Sequence, residues 1–171
     1  MTARRGFTLV EAIVTITVLG ILGSVASLTL AEAVAQYADS ATAGRLYQEA
    51  NDTMERIAAE IRQIPPAGQG GPAITRLEPD RLQAQGGWSL QLIGAGLRLH
   101  DQGPPGVIQT DVSDFRLTAF DEAGDQLPAS VSGPQTSDIR RIGVSLTLSR
   151  DGIEASLATT VFIRSTAVPA P

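Results

Sequence analysis

A chain of 171 residues allows one globular core and an appendage, since ordinary domains run roughly 100 to 200 residues. Cysteine is absent, which excludes a disulfide framework, a thiolate metal site and a cysteine nucleophile. The 13 basic side chains are all arginine, scattered singly apart from Arg4-Arg5 and Arg140-Arg141, and the net charge is −5, which argues against nucleic acid as a partner because phosphate binding draws on clustered cations.

The first element is apolar. Residues 12–31 carry no charge, and a helix of that length crosses a bilayer core of roughly 30 Å. The leading MTARRG, with Arg4 and Arg5, favours an N-terminus left in the cytoplasm and a body outside. An ordinary secretory signal is one reading: Ser24-Val25-Ala26 offers small residues for a cut that releases a soluble domain from Ser27. Arg4-Arg5-Gly6-Phe7 also hints at a twin-arginine signal. Against both stands Glu11, whose carboxylate costs up to about 3 kcal/mol at mid-helix and less near an end. The apolar pattern also runs past Ala26 through Leu28, Leu30, Ala31, Ala33, Val34 and Ala35 without a turn residue.

The string Gly6-Phe7-Thr8-Leu9-Val10-Glu11, directly after the arginines and directly before the apolar stretch, resembles the class III signal of type IV prepilins and type II secretion pseudopilins. The resemblance implies that the prepilin peptidase cuts between Gly6 and Phe7 and that Phe7 is then N-methylated by the same enzyme. A glycine before the cut suits a protease that grips backbone in a confined site. Removal of Arg4 and Arg5 takes the side-chain charge from −5 to −7. The family's glutamate falls on Glu11. There it is thought to pair with the N-terminal ammonium of a neighbouring subunit, whereas the plain physical alternative is a carboxylate that snorkels to the headgroups. The partners implied are other pilin or pseudopilin subunits, the prepilin peptidase and an inner-membrane assembly platform. The implied location is the inner membrane, single-pass, with the globular part extracytoplasmic.

No proline occurs before Pro65-Pro66, which is consistent with one helix of roughly 80 Å at 1.5 Å per residue that the prolines end. Many major pilins carry a proline in the membrane half; here Gly20 and Gly23 are the only soft points. After Gln36 the pattern turns amphipathic, with Leu46, Tyr47, Ala50, Met54, Ile57, Ala58, Ile61 and Ile64 at steps of three and four, so one face is set to pack. The expected boundaries are a leader at 1–6, a membrane and filament-core half-helix at 7–35, an amphipathic half at 36–64, and a β-rich domain at 65–171.

Pro66–Pro72 reads as a loop. Short strands follow over residues 74–78, 81–85, 88–93, 96–100, 107–110 and 112–120, with hairpin turns at Glu78-Pro79-Asp80 and Gly94-Ala95-Gly96. In the sixth, Val112, Phe115, Leu117 and Ala119 alternate imperfectly. The clearest pair is Ile142, Val144, Leu146 and Leu148, returning over residues 153–163 after Asp151-Gly152. The fold class expected is α+β: a long hydrophobic-then-amphipathic helix packed on an antiparallel sheet, the pilin fold that the resemblance implies. The stretches from Val112 to Asp121, from Arg140 to Leu148, and from Thr160 to Arg164 are similar to the body of minor pilins and J-type minor pseudopilins. The missing C-terminal cysteine pair, common in major pilins, points the same way.

No nucleophile elbow, phosphate loop or zinc spacing is present, so an enzyme is not expected, nor a cofactor or a metal. His100 is the only histidine and reads as an exposed strand-end residue. Asp111, Asp114, Asp121, Glu122 and Asp125 form a loose acidic series that fails the EF-hand spacing, although some pseudopilins bind calcium through such a loop. Two readings remain: a structural subunit, minor pilin or minor pseudopilin, of a type IV pilus or secretion pseudopilus; or an extracytoplasmic binding domain exported or anchored by an ordinary signal.

Overall fold

The computed structural model describes residues 8–65, 73–101 and 103–163; the expected leader and the expected loop at Pro66–Pro72 lie outside them. Helix α1 spans Leu9–Gln63. Its residues fall into two compact units, one ending at Thr42 and the other beginning at Ala43.

In the first unit the helix is uncovered. Leu9, Ile13, Ile16, Leu19, Leu22 and Leu28 are all more than half exposed, and the helix is long and apolar enough to cross a membrane. A helix apolar all round has no polar face to give to water. The change of pattern after Gln36 precedes the start of packing, since the first fully buried side chain is Leu46.

In the second unit α1 buries Leu46, Ala50, Met54, Ile57, Ala58 and Ile61, the face that steps of three and four mark out. Tyr47, expected on that face, is half exposed. Thr53 is buried instead, its hydroxyl donating to the Glu49 carbonyl at 2.8 Å and meeting the Gln109 amide oxygen at 2.9 Å. A buried hydroxyl is tolerated when it is hydrogen-bonded. The helix closes with the Ile64 N–H donating to the Ile61 carbonyl at 3.2 Å, just before Pro65.

Among the described residues nine strands follow: β1 Ile74–Glu78, β2 Arg81–Ala84, β3 Ser89–Ile93, β4 Gly96–His100, β5 Gly106–Gln109, β6 Val112–Phe120, β7 Val131–Ser132, β8 Arg141–Arg150 and β9 Ile153–Phe162. They form two antiparallel sheets, one of order β5-β4-β3-β2-β1-β7 and one of order β6-β8-β9. Backbone joins them where the Leu117 N–H donates to the Pro79 carbonyl at 2.7 Å. A bulge between Val112 and Asp114 explains the broken alternation of β6, because an extra residue shifts the side-chain period. Asp151 and Gly152, with φ of 54° and 80°, make the tight turn between β8 and β9 that positive φ at both central residues favours.

Leu77, Leu82, Leu90 and Leu97 from the larger sheet and Ile142, Leu146 and Leu148 from the smaller share one core with the α1 face. Residues 121–137 hold β7 and the start of a 3₁₀ turn at Gly133–Asp138, neither of which the sequence pattern marks. A two-residue strand is too short to leave a period in the sequence.

Candidate functional site

The helix start is built by Thr8. Its side-chain oxygen accepts the Glu11 N–H at 3.3 Å, and its carbonyl accepts the Ala12 N–H at 3.2 Å. Thr8 is thus the N-cap and Glu11 the third helical residue, the spacing of a capping box. The motif Thr8-Leu9-Val10-Glu11 carried that signal in the sequence, yet Thr8 was not singled out there. At this place Glu11 also sits in the positive end of the helix dipole.

Downstream of Glu11 the polar side chains of the apolar segment are satisfied by the helix itself. Thr15 donates to the Glu11 carbonyl at 2.7 Å, Thr17 to Ile13 at 2.8 Å and Ser24 to Ile21 at 2.8 Å. Ser27 donates to Gly23 at 2.8 Å and Thr29 to Ala26 at 3.0 Å. Such back-bonding removes hydroxyl donors from competition with solvent and suits a helix in hydrocarbon. The Glu11 carboxylate is different: it is exposed, and no ion pair reaches it among the described residues. Arg4, Arg5, Gly6 and Phe7 lie outside the described residues.

A second cluster holds the packed half of α1 to the smaller sheet. Arg150, at the end of β8, grips Glu49 with both terminal nitrogens at 3.2 and 2.9 Å. It reaches Asp111 through Nε at 3.0 Å and a terminal nitrogen at 2.7 Å. Asp111 adopts φ of 60°, and its carbonyl accepts the Ser149 N–H at 2.9 Å. Hydrogen bonds to Glu49 first and Asp111 second raise the Arg150 pKa above its ordinary value. Residues 49, 111 and 150 are too far apart in sequence for any spacing rule to link them.

The rest of the acidic series is dispersed. Asp121 closes its own turn, accepting the Gly124 and Asp125 N–H groups on Oδ1, each at 2.8 Å. Among the described residues no three histidine or carboxylate side chains converge as a metal site would need. His100 ends β4 but is half-buried rather than exposed, and its Nδ1 is enclosed with no partner among the described residues. Its strand neighbour is Ser89 on β3.

Residues 1–27 match the family model described as the prokaryotic N-terminal methylation motif. This defines the class: a chain with a class III signal running into an apolar helix. The match supports membership of the type IV pilin and pseudopilin family, and the α+β layout behind the signal matches the pilin fold. Such a signal is the mark of prepilin-peptidase substrates that assemble with pilin-like subunits, and the long apolar helix behind it fits a membrane anchor. No curated protein and no solved structure gives a significant match.

Proposed function

We propose that the chain is a non-enzymatic structural subunit, a minor pilin or minor pseudopilin, of a type IV pilus or a type II secretion pseudopilus. The observation that carries this reading is continuity: the methylation motif at residues 1–27 runs without a break into the uncovered helix that begins at Leu9. An ordinary signal cut after Ala26 has to open that helix where Ser27 is tied to the Gly23 carbonyl. In the proposed pathway the peptidase cuts between Gly6 and Phe7 and methylates Phe7, Arg4 and Arg5 leave with the leader, and the subunit waits in the inner membrane with its β domain outside.

Assembly then moves the helix from lipid into a filament core of similar polarity. Little hydrophobic gain separates the two environments, so specificity has to come from polar groups. Glu11 is the ionisable group at the N-terminal end of the apolar segment, with Glu32 at the opposite end. The N-terminal ammonium of Phe7 on a neighbouring subunit is its proposed partner, a pairing that sets register as subunits enter. Similarity to the body of minor and J-type subunits supports the minor assignment.

The test is recovery of the chain in sheared filament or pseudopilus fractions from cells with and without active prepilin peptidase. The reading expects incorporation only with the peptidase active. Equal recovery without it contradicts the reading.

A further inference from the structure

The outward face of the six-stranded sheet carries a charge pattern that filament assembly through α1 does not use. Strand register places Glu78, Arg81, Gln91, Arg98 and Val107 directly beside one another across β1, β2, β3, β4 and β5. A second row, Arg76, Gln83, Ser89 and His100, runs alongside it. The alternate residues Leu82, Leu90, Leu97 and Leu99 are buried, so these two rows face away from the core. In a chain of net charge −5, this face holds three arginines against one glutamate.

That glutamate is already engaged, since Arg76 binds Glu78 at 2.7 Å. Among the described residues Arg81 and Arg98 have no carboxylate partner. Arg81 Nε and His100 Nδ1 are enclosed by protein and also lack a hydrogen-bond partner there. Buried polar atoms of folded proteins are nearly always paired, so these two mark a strip of the sheet whose polar groups are left unsatisfied among the described residues. A cleft of about 250 Å³ opens over β3 and β4, lined by Ser89, Gln91, Ile93, Arg98, His100 and Pro105.

We propose that this face is a docking site for an extended polypeptide segment bearing carboxylates, with Arg81 and Arg98 as the charged anchors. Strands lie roughly 4.8 Å apart, so the two arginine α-carbons, separated by β3, are about 10 Å apart. Same-side residues of an extended peptide repeat at about 7 Å, a mismatch that two long guanidinium arms absorb. Arginine binds carboxylate through paired N–H donors, and Gln91 and Ser89 add donors between the anchors. The surroundings favour protein over glycan or nucleic acid. Ile93 and Val107 are half-exposed apolar side chains beside Arg98, the mixture of apolar contact and arginine found in protein interfaces. The two rows contain no Phe, Tyr or Trp ring on which a base or sugar could stack, and their one imidazole, His100, is half-buried. The proposal is independent of the filament reading.

The test uses the full chain in detergent micelles and a fluorescently labelled synthetic peptide with glutamate and valine at alternate positions, followed by anisotropy. Binding of this peptide, weakening with salt, and loss of binding when glutamine replaces its glutamates are the expected results. Arg81→Ala with Arg98→Ala weakens binding about tenfold or more. The exposed single variant Arg98→Ala weakens it in a chain whose circular dichroism is unchanged, and Arg116→Ala on the other sheet leaves it alone. Absent binding, equal binding of the glutamine peptide, or arginine variants that bind like the parent overturn the proposal. Preference for a heparin oligosaccharide over the peptide also overturns it.

Discussion

Glu11 gathers three physical demands on one carboxylate. It is the third residue of a helix capped by Thr8, it lies where the helix dipole favours negative charge, and it borders a segment whose hydroxyls are internally satisfied. Replacing it by glutamine keeps its size and most of its helix propensity but removes the charge. Glu11→Gln is therefore expected to be cleaved normally yet to fall out of the filament fraction, by immunoblot of sheared material; normal incorporation contradicts the pairing role. Thr8→Ala removes the cap and is expected to destabilise the first turn by about 1 kcal/mol, read as faster amide exchange at Glu11 and Ala12. Arg150 makes a different prediction. Its pKa is raised, so while Glu49 and Asp111 are ionised its contribution is present below the ordinary arginine value and is lost as pH climbs through the folded value. Arg150→Met should lower Tm by the same amount at pH 7 and pH 9, and by less in high salt, because the side chains of the cluster are more than a third exposed and screened.

At the scale of elements, the packed half of α1 is what the β domain is built on. Ile57 is 1% exposed and sits midway along that face, so Ile57→Ala is expected to cost about 3 kcal/mol, measured by thermal melting of the chain in detergent. A loss below about 1 kcal/mol indicates a face that does not carry the core. Most of these elements were legible beforehand, since the helix, its proline stop, eight of the nine strands and the Asp151-Gly152 turn all follow from period and turn chemistry. The omissions have physical causes. β7 is two residues long, the β6 bulge hides its own alternation, and Thr53 is buried only because Gln109 from β5 meets it. Splitting of the strands into two sheets depends on pairings between distant segments, which no local pattern carries.

For the whole molecule, the N-terminal device was legible because all of it lies within one short string, from Arg4 to Glu11, followed by an unbroken apolar run. The Glu49–Arg150–Asp111 clamp and the Arg81–Gln91–Arg98 row were not, since each is assembled by the fold from separate elements. The molecule thus joins a locally encoded anchor to a tertiary-encoded body. On the proposed reading the first directs processing and assembly, and the second presents the exposed sheet to a partner. The central claim is about processing, and mass spectrometry of the mature chain's N-terminal peptide tests it most directly. The account predicts a chain that begins at N-methylated Phe7; a chain that begins at Ser27 contradicts it.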